Sequence, residues 1–309
     1  EVLEPPDKRR KTDRPIHHKP SVYEDTNGVP RAGFPPRVLH LGLADGELSG
    51  RILAVGHPAR ADLLAKLLEP EETGGSLFRL ASDRGFLTYT GLFKGERVSV
   101  VAIGMGLSMM DFFVREARAA VRGPMAVVRL GTSGGLKASV PVGSVAVATG
   151  GSILVQRNYG AFAGGEVHNG DSPYLISSPC PADTELSTAV LREVQQSLGE
   201  GMAVGGLNVT ADSFYSSQGR LDPCFADCNR SLVDDVVRQH PEAVTMEMET
   251  FQLLHLAKCC KPAGSLRGAA AVVVVANRPT GEVVAEEGLT SAERKGGEAI
   301  LRALIGLPL

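Results

Sequence analysis

Four apolar runs in this chain of 309 residues end in groups suited to holding an oxyanion. One leads into Gly56-His57-Pro58-Ala59-Arg60 and a second into Gly104-Met105-Gly106. A third carries Arg129 into Gly131-Thr132-Ser133-Gly134-Gly135, and a fourth stops at Asn277-Arg278. Glycine opens backbone N–H groups to close approach, and arginine supplies a planar fork of donors, so together they suit phosphate or a similar anion. The pattern is not a P-loop, because no GxxxxGK[ST] occurs, and Gly104 and Gly106 lack the third glycine of a dinucleotide fingerprint. Arg129 is the most informative single residue. A guanidinium one step from the end of a buried strand is costly to desolvate unless an anion meets it. That anion is either a ligand or a buried carboxylate in a structural salt bridge, and the sequence by itself leaves both open.

The segment Met246-Glu247-Met248-Glu249-Thr250 sets two carboxylates two residues apart, just ahead of an apolar helix. Acids there complement the helix dipole, whereas a carboxylate turned towards a pocket would accept hydrogen bonds from sugar hydroxyls. Gln218 and Arg220 stand in the irregular polar stretch Phe214-Tyr215-Ser216-Ser217-Gln218-Gly219-Arg220, which by itself reads as a solvated loop. His17 and His18 fall in the N-terminal leader, and His168, His240 and His255 have no sequence partner, so no Ser-His-Asp or Cys-His arrangement is defensible.

These residues need a scaffold that gathers strand ends. Short β-branched runs alternate with helical patterns, which predicts an α/β fold with a mostly parallel sheet covered by helices. Strands are expected at 52–55, 86–92, 98–103, 126–130, 144–148, 207–210 and 270–276. Helices are expected at 60–68, 108–121, 184–198, 250–260 and 291–304, with Pro58 opening the first and Asp183 or Thr184 capping the third. In open α/β folds such strand ends meet at one edge, where ligands bind. No repeat or linker divides the chain after Leu39, so a single domain over 37–309 is expected, behind a poorly structured extension over 1–36. That extension holds seven prolines and the basic cluster Lys8-Arg9-Arg10-Lys11, which reads as a solvated tail or a localisation signal.

Composition narrows the function classes. A net charge of -3 lacks the basic balance of a nucleic-acid-coating chain, and 5% aromatics with no Trp leave few stacking platforms. The longest apolar run, residues 269–276, falls short of the ~20 residues of a membrane helix, so no membrane partner is expected. Five cysteines without CxxC or zinc spacing, and no visible signal peptide, point to reduced thiols in a cytoplasmic protein. Thirty-six glycines point to many tight turns and close backbone approaches.

Taken in order, the motifs resemble those of the family-I nucleoside phosphorylases, in their uridine-cleaving branch. The resemblance runs from about Leu39 to the C-terminus through His40-Leu41-Gly42-Leu43, Gly56-His57-Pro58-Ala59-Arg60, Ser82-Asp83-Arg84, Arg129-Leu130-Gly131-Thr132-Ser133-Gly134, Phe214 to Asp222, Met246 to Glu249, and Asn277-Arg278. It implies a single-domain fold with a central mixed twisted sheet, and reversible phosphorolysis of uridine to uracil and ribose 1-phosphate. It further implies that Gly56, Arg60, Arg129 and Thr132 hold phosphate, with Arg84 reaching in from a neighbouring subunit. Met248 and Glu249 would contact ribose with help from Glu247, and His40 would approach the sugar's 5′ end from that neighbour. Phe214 would stack near the base, Gln218 and Arg220 would read the uracil edge, and Arg278 would line or close the base pocket. Shared sites imply a homo-oligomer, and the Gly219-Arg220-Leu221-Asp222 stretch favours a homodimer over a hexamer. Inorganic phosphate is the expected co-substrate, with no other cofactor. Some relatives place a cation-binding glutamate where this chain has Gly85, so no metal site is expected.

Three alternatives accompany that expectation. Purine-cleaving relatives place an aspartate on the strand end beside the base, where this chain has Asn277-Arg278. A nucleosidase would leave three phosphate-ready arginines without a clear use. A non-catalytic nucleoside-binding relative would retain the fold and lose the reaction.

Overall fold

The computed structural model describes residues 28–162, 167 and 170–309. The basic cluster, the prolines before position 28 and His168 lie outside the described residues. In chain order the strands are β1 (Arg31–Ala32), β2 (Arg37–Val38), β3 (Arg51–Val55), β4 (Phe78–Ala81), β5 (Leu87–Phe93), β6 (Glu96–Ala102) and β7 (Met125–Gly135). They continue as β8 (Val145–Val147), β9 (Ser152–Arg157), β10 (Tyr174–Ile176), β11 (Ala203–Gly205), β12 (Leu207–Ala211), β13 (Ala243–Glu247) and β14 (Leu266–Asn277). The helices are α1 (Pro58–Ala65), α2 (Leu107–Ala120), α3 (Thr184–Leu198), α4 (Leu232–Gln239), α5 (Thr250–Cys259) and α6 (Glu286–Ile305).

Twelve strands form one mixed sheet along the path β10-β9-β12-β13-β7-β3-β6-β5-β4, with β14 lying on β7 and β8 joining β14 to β11. β1 and β2 form a separate antiparallel ribbon within the proline-rich leader. Alternation along the strands sends side chains to two apolar layers. Leu53 and Val55 of β3 pack with Leu64, Val190 and Ile300, while Ile52 and Ala54 pack with Phe113, Met110 and Leu253. Helices α1, α3 and α6 therefore cover one face, and α2 and α5 the other. No helix among the described residues is long and apolar enough to cross a membrane.

β7 organises the site. Its first half runs parallel to β3, pairing Ala126 with Arg51 and Leu130 with Val55. Its last residues pair antiparallel with β13, Gly134 opposite Met246 and Gly135 opposite Thr245. β14 stays parallel to β7 throughout, from Leu266 opposite Met125 to Asn277 opposite Gly135. β7 thus crosses from one half of the sheet to the other, and the ends of β3, β6, β13 and β14 gather along it.

The expected helices and strands form with shifted ends, and α3 keeps the expected bounds with Asp183 as its cap, accepting from the Leu186 N–H. Two differences bear on function. The expected strand ending at Leu130 continues through the glycine-rich stretch as the second half of β7, paired with β14 across a register shift between Val274 and Ala276. Glu247 does not simply precede a helix; it ends the wholly buried strand β13. The sequence reading also omits β1, β2, β4, β9, β10, β11, β13 and α4; most are short or at sheet margins, whereas β13 is a buried central strand.

Gly151 shows how tightly the sheet's far half is closed. It has a φ of 80°, and a Cβ there would lie 2.2 Å from the Cys180 carbonyl oxygen. That carbonyl accepts from the Ser152 N–H at 3.0 Å, where β9 begins beside the site-bearing strand β12. A left-handed backbone costs a side-chain residue about 1–2 kcal/mol, and overpacking adds about 1–3. Gly151→Ala is therefore expected to lower the unfolding free energy by at least ~2 kcal/mol in chemical denaturation, and an unchanged midpoint would contradict this closure.

Candidate active site

Arg129 points from the middle of β7 into a closed space with 4% exposure. Its guanidinium lies over Gly131, where a Cβ would come within 1.6 Å of Nη1, so no other residue fits while Arg129 stays there. Nη2 is in very close contact with Glu249 Oε2, and Nη1 lies 3.2 Å from Glu247 Oε2. Nη1 is placed for Coulomb attraction but not for a directed bond. With Nε, and with the hydroxyls of Ser133 and Thr250, it is buried without a hydrogen-bond partner in the protein. Native interiors rarely leave such groups unmatched; all four can donate, and three of them lie on β7. The arrangement can accept an oxyanion.

Of the other sequence-predicted anion ligands, Arg60 lies beside the β7 segment that follows Arg129 and Thr132 lies on it, whereas Arg84 does neither. Arg60, buried in the first turn of α1, donates from Nε to Glu293 Oε1 at 2.8 Å and from Nη1 to the Leu130 carbonyl at 3.2 Å. Pro58 and the His57 cap, which accepts from the Ala59 N–H at 3.2 Å, begin that helix. Gly56 joins β3 to α1, and its carbonyl accepts from Gly104 N–H at 3.0 Å. Thr132 is half-buried on β7. Arg84 is exposed in the turn between β4 and β5, and no hydrogen bond or ion pair joins its side chain to Arg129 within the chain.

The two carboxylates have different surroundings. Glu247 accepts from Asn208 Nδ2 at 2.8 Å, Thr210 Oγ1 at 2.6 Å, Glu249 N–H at 2.9 Å and Thr250 N–H at 3.1 Å. Burial opposes its charge, but Arg129 and these donors outweigh burial and hold its carboxyl below the usual range. It also satisfies the first turn of α5, so the dipole-complementing role and the buried ion pair belong to one residue. Glu249 is 2% exposed and accepts from Gly106 N–H at 2.5 Å. Burial, with Arg129 opposing and Glu247 reinforcing, pushes its carboxyl up to about 7. Met248 is half-buried between them.

A second cluster gathers guanidinium groups around an amide. Gln218 is buried, and its Oε1 accepts from Arg220 Nη1 at 2.6 Å and from Arg278 Nη2 at 3.1 Å. Arg278 Nη1 also donates to the Gln218 carbonyl at 2.5 Å. With both arginines on Oε1, the Nε2 donor faces elsewhere. Arg220 lies 3.7 Å above the half-exposed Phe214 ring, and Asn229 anchors the loop by donating to the Ser216 and Arg220 carbonyls. Burial and then Arg220 draw the Arg278 guanidinium down to about 10, and burial also lowers Arg220. Arg278 crosses β7 at Gly134, where a Cβ would meet its Nε at 3.1 Å. Asn277 is occupied otherwise, with Nδ2 donating to the Lys137 and Val140 carbonyls at 2.8 Å each. His40 stands apart, stacked on Phe112 and bonded to Glu116.

The sequence reading passes over several supporting groups: Asn208, Thr210, Glu116 and Glu293. Asn208 and Thr210 carry a readable signal, two polar residues at i and i+2 on the otherwise apolar strand β12. Glu116 likewise occupies a core-facing position of α2 beside Phe113, Ala117 and Ala120. Glu293 has no local signal, because its partner Arg60 is 233 positions away.

Comparisons with known proteins agree on one family. The model of the Phosphorylase superfamily matches residues 51–305. A uridine phosphorylase of Escherichia coli is 29% identical over 269 residues, covering 86% of this chain and 96% of that protein. A solved structure from work on uridine phosphorylases of the oomycete Phytophthora capsici is 42% identical, with a TM-score of 0.85 over 93% of this chain and 99% of its own. A DeoD-type purine nucleoside phosphorylase of Listeria monocytogenes is 35% identical over 126 residues, or 41% of this chain.

The raised Glu249 carboxyl sets a pH dependence. An unfolded Glu titrates near ~4.3, so the protonated folded form stabilises the chain fully below that pH. The contribution disappears as pH rises through about 7. Between pH 5 and 8 in phosphate-free buffer, the wild type is expected to lose on the order of 1–3 kcal/mol of stability relative to Glu249→Gln. Denaturant titrations of both proteins measure that gap, and a gap independent of pH contradicts the assignment.

Proposed function

The chain belongs to the phosphorylase superfamily, and from that premise we propose that it catalyses the reversible phosphorolysis of uridine to uracil and ribose 1-phosphate. The observation that carries this reading is the chemical division of the site along β7. At one position a buried guanidinium with unsatisfied donors faces two carboxylates. At the other, Gln218, Arg220 and Arg278 present donors without a carboxylate among them.

Phosphate is held by Arg129, Arg60, Thr132 and the backbone at Gly56, with Arg84 supplied by a second copy of the chain. Its arrival gives Arg129 an anionic partner and releases Glu249 to accept from the ribose hydroxyls, with Glu247 fixing the segment and Met248 packing on the sugar. Phe214 stacks near the base. A phosphate oxygen forms the bond to the anomeric carbon as the bond to uracil N1 breaks, and the electron pair leaves on the base. Gln218 and Arg220 stabilise the negative charge spreading onto the uracil carbonyls, and Arg278 keeps the Gln218 amide in place. A proton from water completes uracil. This sequence of bonds uses phosphate as co-substrate and requires no metal or organic cofactor.

The residues assigned to a second copy, Arg84 and His40, call for a homo-oligomer with shared sites, and the Gly219-Arg220-Leu221-Asp222 stretch favours a homodimer. Five free cysteines suit a reducing, cytoplasmic setting. A purine substrate is disfavoured because Asn277, the residue at the strand end, has committed its amide to two backbone carbonyls and carries no acid.

Incubation with uridine, with and without phosphate, tests the reading through uracil release. Release that requires phosphate is expected; release without it indicates a hydrolase, and preferred turnover of inosine a purine enzyme. Binding with no release would mark a non-catalytic relative. Arg220→Ala is expected to lower turnover by ~100- to 1,000-fold, as for other preorganised donors, with little change in thermal stability. Near-normal turnover in that variant would remove the role given to Arg220.

A further inference from the structure

Glu116 is a buried acid with no part in the chemistry above. It lies in α2 with 3% exposure, and its carboxylate gathers three donors from one short segment. Oε2 accepts from the Leu41 N–H at 2.8 Å and from the His40 N–H at 2.9 Å. Oε1 lies 2.5 Å from His40 Nδ1. One turn earlier on the same helix, Phe112 stacks on the imidazole, with ring centroids 4.1 Å apart and planes 28° from parallel. Residues four apart share a helix face, so α2 grips the ring by one edge and one flat side. Phe112 is 39% exposed and His40 is partly exposed, so the gripped ring stands at the surface.

The carboxylate is an acceptor, which places a proton on Nδ1. In the neutral ring Nε2 is then an acceptor, and it forms no hydrogen bond among the described residues. We propose that Glu116, together with Phe112, is a positioning device for His40: it fixes the ring's tautomer and aims Nε2 at the 5′-hydroxyl of a nucleoside bound in the adjoining subunit. The inference rests on the function proposed above, which brings His40 to the sugar. Neither Glu116 nor Phe112 touches substrate. Their effect is to remove ring rotation and tautomer exchange before binding, so it appears in affinity for a substrate carrying that hydroxyl.

Uridine and 5′-deoxyuridine, compared on the same variants with phosphate present, provide the test. Glu116→Gln is expected to raise KM for uridine by about 10-fold with a smaller change in kcat, the loss of roughly one oriented hydrogen bond. KM for 5′-deoxyuridine is expected to stay at the wild-type value. In a His40→Ala background, Glu116→Gln is expected to add no further loss for either substrate. Equal losses on both substrates in a folded variant, or additive losses with His40→Ala, would overturn the proposal. Should Glu116→Gln fail to fold, Phe112→Leu at the partly exposed position carries the same comparison: a smaller loss confined to uridine supports the device, and an equal loss on both overturns it. A readout independent of turnover is the 15N NMR spectrum of histidine-labelled protein, with the His40 signal assigned by its absence in His40→Ala. The Nδ1-protonated form is expected in the wild type, and a mixed tautomer there overturns the geometry. A wild type that releases no uracil overturns the function, while this spectrum still decides the His40–Glu116 arrangement.

Discussion

Placing a guanidinium inside a sheet sets conditions that much of the surrounding structure meets. Arg129 emerges from β7 between Ala54 and Ala270 on the neighbouring strands, where water does not reach it. An isolated charge there would be prohibitive, so acids must come to it. Glu247 and Glu249 come, and they too are buried, so they need donors of their own. Asn208 and Thr210 on β12, the first N–H groups of α5 and the Gly106 N–H supply them. Gly131 is glycine because the guanidinium occupies its side-chain space. A single charged residue thus explains the polar face of β12, the start of α5 and the loop ahead of α2.

The neutralisation is incomplete in a way that favours ligand exchange. Glu247 is satisfied by four fixed donors and stays ionised. Glu249 has Arg129 and one backbone N–H, and burial holds its carboxyl near the middle of the physiological range. Under the function proposed above, an anion competing for Arg129 would displace Glu249, which has the fewer fixed donors, and leave Glu247 to hold the segment. That displacement would free Glu249 to accept from hydroxyl donors, coupling anion binding to sugar binding.

The parts of this site legible in the sequence were the residues that break local rules. An arginine in an apolar strand and arginines beside glycines at several strand ends stand out because burial makes them costly. Five of the six helices were legible too, since their apolar periodicity extends over two or more turns; α3 matches residue for residue, and the short α4 was missed. β13 was hidden because Ala-Val-Thr-Met-Glu alternates too weakly to separate from the helix that follows. The second half of β7 was hidden because three glycines in five residues resemble a turn, and only the pairing with β14 makes them a strand. Glu293 and Arg60 meet through packing of α6 on α1, so no local pattern could join them. No pattern within one chain assigns a residue to a second copy, and for Arg84 and His40 the motif resemblance alone supplied the proposal.

The contrast between the two clusters on β7 also argues for the direction of charge flow. Where Arg129 sits, the ionised Glu247 balances the arginine and burial holds Glu249 towards its neutral form, so the cluster carries little excess charge of either sign. At Gln218 the two arginines converge on one amide oxygen with no acid between them, and burial first, then Arg220, draws Arg278 down. Such a cluster gains most when negative charge arrives. A nucleoside base carries little charge before the glycosidic bond breaks and nearly a full negative charge afterwards. Under the function proposed above, the arginine pair would therefore stabilise the departing base more than the bound substrate, the condition for lowering a barrier rather than merely tightening binding.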